Sequence, residues 1–69
     1  ENINLESEKN INNTDNSIIQ ANNNLTIKAN EQINNDNNSV IQAVNGSLDL
    51  ETKLLNNTNE SKIFANKLK

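Results

Sequence analysis

The chain has 69 residues and a net charge of −3; 19 residues are Asn, and Cys, His, Pro, Met, Trp, Tyr and Arg are absent. The missing Cys and His exclude disulfides and remove the usual zinc ligands and the common nucleophile–base pairs of enzymes. Scattered charges argue against nucleic acid or an anionic membrane surface as a partner, and no run of about 18 apolar residues exists that would span a membrane. So short a chain holds one domain, and so much Asn indicates either a disordered segment or a repeated structure.

Two kinds of short segment alternate along the chain. In order they are Ile3–Ser7 (INLES), Ile11–Ala21 (INNTDNSIIQA), Leu25–Ala29 (LTIKA), Ile33–Ala43 (INNDNNSVIQA), Leu48–Thr52 (LDLET) and Leu55–Ala65 (LNNTNESKIFA). Members of one kind begin 22 residues apart, except that LDLET begins 23 residues after LTIKA. Eight of the eleven positions of the second segment recur in the fourth, so the chain consists of repeats.

The repeats divide the chain without breaking it into domains. We expect one segment with a partial repeat over 1–10, full repeats over 11–32 and 33–54, and a partial repeat over 55–69. The additional residue falls at Asn45–Ser47, which contains the only Gly of the chain. Asn-Gly is a strong turn signal, so this tripeptide is predicted to be a loop.

Apolar and polar residues alternate within each segment, as in Leu25, Ile27 and Ala29 with Thr26 and Lys28 between them. This is the period of two that is typical of a half-buried strand. A long helix is the competing interpretation, because 22 residues equal two 11-residue units. Asn is a poor helix former and Glu–Lys pairs four apart are scarce, so the sequence favours strands. Short strands that repeat in this way predict an all-β fold, a parallel β-helix of about three coils stacked about 4.7–4.9 Å apart.

Stacked coils assign a place to the Asn residues. From Ile33, alternation places Asn34 outward and Asn35 inward, so Asn13, Asn35 and Asn57 are predicted to form an inward ladder of hydrogen-bonded amides. Other Asn residues suit turns, because Asn tolerates left-handed backbone conformations. The core is predicted to contain three apolar ladders: Ile11, Ile33 and Leu55; Ile19, Ile41 and Ile63; Ala21, Ala43 and Ala65.

The order L-x-L-x-A, then I/L-x-N, then I-x-A resembles the repeats of the filamentous haemagglutinin family, the large exoproteins of bacterial two-partner secretion. The matching positions are Ile3, Leu5, Ile11, Asn13, Ile19, Ala21, Leu25, Ile27, Ala29, Ile33, Asn35, Ile41, Ala43, Leu48, Leu50, Leu55, Asn57, Ile63 and Ala65. Where the family repeats carry Gly pairs in their turns, this chain has Asn and Ser. The resemblance covers nearly the whole chain.

The resemblance implies a right-handed parallel β-helix that forms a structural shaft segment of a secreted, surface-displayed bacterial adhesin. The first alternative is the shaft of a contact-dependent growth-inhibition toxin, and the second, outside the family, is an Asn-rich coiled-coil oligomerisation segment. Expected partners are an outer-membrane secretion partner, a receptor or glycan on a host or neighbouring cell, and adjacent coils of a longer chain or of stacked copies.

Candidates for chemistry are few, and we expect a non-catalytic protein without cofactor or metal. Asp15 and Asp36 fall on separate turns, not on one face as acid–base catalysis requires. Asp49 and Glu51 lie on an outward strand face, where pairing with Lys28 is expected.

Two further surface features are predicted. Outward Ile18, Val40 and Phe64 form a small apolar stripe, which is a candidate contact surface. Six N-x-S/T sequons are candidate N-glycosylation sites on surface turns; they begin at Asn12, Asn24, Asn37, Asn45, Asn56 and Asn59.

Overall fold

A computed structural model describes the backbone of residues 1–68 and the side chains of residues 1–66. The strands, in chain order, are β1 (Ile3–Ser7), β2 (Asn10–Asn13), β3 (Ile18–Ala21), β4 (Leu25–Ala29), β5 (Gln32–Asn35), β6 (Val40–Glu51), β7 (Leu54–Asn57) and β8 (Lys62–Leu68). The predicted all-β class is confirmed. Residues 1–68 contain no helix, and thus none that could cross a membrane, so the coiled-coil alternative is wrong.

The strands pair in parallel and form a curled sheet in two parts. The first part has the order β1-β4-β6-β3, with β8 also paired to β6, and the second has the order β2-β5-β7. Neighbours in sequence do not pair, because a parallel partner requires a crossover connection. Ile33 pairs with Ile11 on one side and Leu55 on the other, so the 22-residue spacing of the repeats is the strand register of the second part.

The core lies inside the curl and is most completely closed in its middle. The fully buried apolar side chains are Ala21, Leu25, Ile27, Ala29, Ile33, Ile41, Ala43 and Leu48. The predicted core residues Ile11, Ile19, Ile63 and Ala65 are half-buried and pack against this cluster. Leu55 departs from the predicted burial, because 43 % of it is exposed. Its strand, β7, pairs only with β5 within the described chain, so one side of Leu55 has no neighbouring strand.

The predicted loop at Asn45–Ser47 is wrong, because β6 continues through it as one strand. The pairing of β6 with β8 shifts its register just before Ser47, so the additional residue is accommodated within a strand irregularity. Gly46 permits this arrangement. A Cβ atom at Gly46 would collide with the backbone of Asn23 and the side chain of Asn24, whereas the φ of Gly46 is not positive. Close approach between strands, and not backbone freedom, requires this Gly.

Tight corners follow β2, β5 and β7, and each contains two consecutive residues with positive φ. These pairs are Asp15 (60°) and Asn16 (62°), Asn37 (56°) and Asn38 (62°), and Asn59 (54°) and Glu60 (63°). Asn and Asp tolerate this left-handed region better than other residues with a side chain, which explains why they occupy five of the six places. Glu60 is the exception, and its conformation is strained.

Candidate functional site

The inner ladder, defined as Asn13, Asn35 and Asn57, connects the three strands of the second part of the sheet. The Nδ2 of Asn13 donates to the Oδ1 of Asn35 over 2.8 Å, and the Nδ2 of Asn35 donates to the Oδ1 of Asn57 over 2.9 Å. Asn13 and Asn35 are buried, whereas Asn57 is exposed. The structure therefore brings the three residues together, with their amides oriented in one direction.

Each buried amide of the inner ladder also bonds the backbone. The Nδ2 of Asn35 lies 3.2 Å from the carbonyl oxygen of Ser39, across its own corner, and 3.0 Å from that of Lys62, in the next repeat. Asn13 makes the equivalent contacts one repeat earlier. The side chain thus closes its own corner and holds the strand that follows the next one. Sequence reasoning predicted the stacking of these amides but not their backbone bonds.

A serine ladder, defined as Ser17, Ser39 and Ser61, lies beside the inner ladder. The backbone N–H of Ser17 donates to the Oγ of Ser39 over 3.2 Å, and that of Ser39 donates to the Oγ of Ser61 over 3.0 Å. Ser39 is fully buried, so a backbone donor without an acceptor there would cost free energy. The sequence contained the signal for this ladder, because Ser recurs at the same place of each repeat, but no role was assigned to it.

An outer ladder, defined as Asn12, Asn34 and Asn56, lies on the opposite face of the same strands. The Nδ2 of Asn34 donates to the Oδ1 of Asn12, and the Nδ2 of Asn56 donates to the Oδ1 of Asn34, both over 2.8 Å. The amides therefore run opposite to those of the inner ladder. Sequence reasoning placed Asn34 outward and assigned it no bond, although outward residues stack in the same register as inward ones.

The carboxylates of the corners are bound by neighbouring amides and hydroxyls. The Oδ1 of Asp36 accepts from Thr58 Oγ1 (2.8 Å), Asn59 Nδ2 (2.6 Å) and the backbone N–H of Asn37 (2.9 Å). These bonds, that of Thr58 first, lower the pKa of Asp36 because they stabilise its charged form. Asp15 is bound separately, by the Nδ2 of Asn37 over 3.2 Å. The two carboxylates thus connect corners, and residues 1–68 contain no group of three His, Cys, Asp or Glu able to hold a metal ion.

The outward charges of β4 and β6 meet in one ion pair. The Nζ of Lys28 lies 3.6 Å from the Oε2 of Glu51, and both side chains are exposed. Open grooves beside this pair are lined by Asn30, Thr52 and Lys53, among others. An exposed ion pair contributes about 0–1 kcal/mol, so this one adds little to the pairing of the two strands.

The predicted apolar stripe lies at the surface. Ile18 is 64 % exposed and Phe64 is 47 % exposed, while Val40 is half-buried. Ile18 pairs with Val40 and Gln42 pairs with Phe64, so the stripe crosses the strands β3, β6 and β8.

The six sequon asparagines differ in how their amides are used. Asn56 is half-buried and the other five are exposed. The Nδ2 atom, to which a glycan would be attached, donates a hydrogen bond in Asn37, Asn45, Asn56 and Asn59. In the described contacts, the side chains of Asn12 and Asn24 bond only through Oδ1. Glycosylation at these two sites would break no hydrogen bond of the folded chain, and modification at any of the six stays a prediction.

Comparisons with family models, with curated proteins and with solved structures found no match to this chain. The resemblance to haemagglutinin repeats therefore depends on the quoted residues alone.

Proposed function

We propose that the chain forms coils of a right-handed parallel β-helix and acts as a non-catalytic shaft segment of a secreted adhesin displayed at a bacterial surface. The observation that carries the proposal is the strand register, in which Ile11, Ile33 and Leu55 stack at a constant spacing of 22 residues. A chain that returns to the same place in each repeat adds length along one axis, and its stability is the sum of similar local contacts. Such growth suits a part that keeps a distant binding domain away from the cell.

The ladders support the proposal because they tie each repeat to the next without disulfides or metal. Asn35 bonds Asn13 on one side and Asn57 on the other, and Asn34 does the same with Asn12 and Asn56 on the outer face. Stacked Asn side chains of this kind stabilise cross-β assemblies. A chain without Cys can also be exported unfolded and can fold at the surface with no disulfide to form.

The shaft of a contact-dependent growth-inhibition toxin is the alternative, and the same register supports it. The two functions differ in the tip that the shaft carries. In both cases the partners are an outer-membrane secretion protein during export and a receptor or glycan on another cell, bound by the tip.

A coil-replacement experiment tests the shaft function. Residues 1–66 are inserted in place of consecutive coils in the shaft of a two-partner-secretion adhesin, and an antibody against the tip measures surface display by flow cytometry. We expect display at the level of the parent adhesin. Loss of display from the unmodified chimera would contradict the proposal.

Two variants of the chimera serve as a matched pair. Ile41→Lys places a charge at a buried position, and Val40→Lys places it at the outward neighbour, whose row already contains Lys62. We expect Ile41→Lys to abolish display and Val40→Lys to preserve it. Display that is insensitive to Ile41→Lys would show that the inserted residues do not fold as part of the shaft.

A further inference from the structure

The inner ladder ends in an unused donor on one side and an unused acceptor on the other. Asn13 donates through its Nδ2, and its Oδ1 accepts no bond from the described residues. Asn57 accepts from Asn35 through its Oδ1, and its Nδ2 has no acceptor in that part of the chain. The β2 end of the ladder therefore presents an acceptor, and the β7 end presents a donor.

The fold determines this direction. The Nδ2 of Asn13 lies 2.9 Å from the carbonyl oxygen of Val40, and the Nδ2 of Asn35 lies 3.0 Å from that of Lys62. A carbonyl oxygen only accepts hydrogen bonds, so a reversed amide would lose these contacts and place oxygen against oxygen. Both buried amides must therefore point the same way.

The outer ladder is complementary at the same two ends but with the opposite sign. Asn12 uses its Oδ1, which leaves Nδ2 as the unused group at the β2 end. Asn56 uses its Nδ2, which leaves Oδ1 as the unused group at the β7 end. Each end thus offers one donor and one acceptor in an order that only the other end can match.

The backbone and the apolar row provide a second match between the same ends. β2 and β7 are the two edge strands of their part of the sheet, and an edge strand is a template for a further strand. Ile11 on β2 is half-buried and Leu55 on β7 is 43 % exposed, and they flank the fully buried Ile33 in one row. A β2 strand placed on β7 in the same register would cover both.

We propose that copies of this chain associate head to tail, with β7 of one copy pairing in parallel with β2 of the next. Asn57 then donates through Nδ2 to the Oδ1 of Asn13 in the second copy, and Leu55 packs on its Ile11. Two identical ends would oppose donor to donor or acceptor to acceptor, so a two-fold symmetric dimer is excluded. A heterologous contact of this kind leaves one free end of each type and permits open-ended growth.

The contact is confined to one part of the sheet. In the other part, Leu68 already pairs with Leu48, at the place where Ile3 of a second copy would continue the row of Leu25. The proposed interface therefore consists of β7 and the Lys62–Ala65 section of β8 against β2 and β3. The association depends on the ladders and edge strands alone, and not on the shaft function.

Asn57→Asp is the sharpest variant, because it keeps the Oδ1 that accepts from Asn35 and replaces the free donor with an acceptor. Asn30→Asp is its matched control, since it adds the same charge on an exposed turn where the Asn30 side chain has no bond among the described contacts. Sedimentation velocity is measured over a wide concentration range. We expect the average sedimentation coefficient of wild type and of Asn30→Asp to rise continuously, and that of Asn57→Asp to stay at the monomer value.

A mixing experiment tests the direction of the association. Asn57→Asp retains an intact β2 end, so it should add to the β7 end of a wild-type assembly and stop its growth. Substoichiometric Asn57→Asp should therefore shorten wild-type assemblies, whereas Asn30→Asp should not. If circular dichroism shows that Asn57→Asp is unfolded, Leu55→Lys, at a half-exposed position of the same end, takes its place with the same expectations.

Three results would overturn the proposal. These are a wild-type chain that stays monomeric at every concentration, one that stops at a closed dimer, and association of the folded end variant that equals that of wild type. The chimera with residues 1–66 reports on the shaft function without any association between copies, so the two proposals fail separately.

Discussion

Asn34 and Asn35 are neighbours in the sequence, and each stacks on an Asn 22 residues before it and another 22 residues after it. They differ in everything else. Asn35 is fully buried, and its Nδ2 also reaches two backbone carbonyl oxygens, whereas Asn34 is half-buried and bonds side chains only. The face of the strand, and not the residue type or its spacing, decides whether an Asn holds this fold together.

The physical reason is the alternative partner available to each amide. Water can replace a lost bond of the outer ladder, so its net contribution is at most about 1 kcal/mol per bond. Inside the curl no water is at hand, and a buried donor or acceptor without a partner costs about 1–3 kcal/mol. The inner ladder therefore contributes mainly by leaving no buried polar group unsatisfied, and no such unsatisfied atom is found in the described chain.

The largest difference between the two faces is expected for a charge. Ile41→Lys buries an ammonium group in the core and should lower the free energy of unfolding by more than about 4 kcal/mol, because the charge has no partner there. Val40→Lys should change it by less than about 1 kcal/mol, since Lys62 already occupies the same outward row. Urea denaturation followed by circular dichroism measures both. Equal losses would refute the assignment of the two faces.

An isosteric change compares the two ladders directly. Asn35→Asp replaces the Nδ2 donor with a carboxylate oxygen that faces the carbonyl oxygens of Ser39 and Lys62, and should cost about 3 kcal/mol or more. Asn34→Asp keeps the acceptor for Asn56 and loses one surface bond, so it should cost less than about 1 kcal/mol. Thermal melts of the two variants report the difference. A smaller loss for Asn35→Asp than for Asn34→Asp would mean that the inner ladder is not a buried network.

A smaller effect is expected where β6 passes close to the residues before β4. Gly46→Ala places a methyl group against the backbone of Asn23 and should lower the free energy of unfolding by about 1–3 kcal/mol. Val44→Ala, in an exposed position of the same strand, is the control and should be nearly neutral. Chemical denaturation provides the comparison, and an unchanged midpoint for Gly46→Ala would show that the two segments separate easily.

The corners allow a stabilising change. Glu60 is the residue with positive φ that is neither Asn nor Asp, so Glu60→Asn should raise the free energy of unfolding by about 0.5–1 kcal/mol. Glu8→Asn makes the same charge change where φ is not positive and should leave stability unaltered. The readout is the shift of Tm. A Tm that rises equally in both variants would point to charge and not to backbone conformation.

The smallest effect concerns the acid side of the stability curve. The pKa of Asp36 is lowered in the folded chain by its bonds to Thr58, Asn59 and Asn37. The ionised form therefore adds stability that is complete above about pH 4, the usual value of Asp in an unfolded chain, and is lost as the pH falls through the lower folded pKa. Asp36→Asn should flatten this loss in melts recorded at decreasing pH. Asp49→Asn, away from the corners, is the control, and the same slope in both variants would contradict the role of Asp36.

Much of the architecture could be predicted because stacking repeats its own sequence. The 22-residue spacing indicated which strands pair, and alternation indicated that Ile33, Asn35 and Ile41 face inward. The loop at Asn45–Ser47 was predicted wrongly, because a local turn signal was outweighed by strand pairing on both sides. The exposure of Leu55 also escaped the pattern, since alternation describes the face of a residue but not whether another strand covers it.

The sequence by itself determined the all-β class, the register and the faces, because these depend on periods that can be counted along the chain. Only the tertiary structure decided the direction of the two ladders and the part played by the serine hydroxyls. An amide reads the same in either orientation until a carbonyl oxygen fixes it, and the oxygens that fix Asn13 and Asn35 belong to Val40 and Lys62, 27 residues further along the chain. That contact exists only once the coils have stacked.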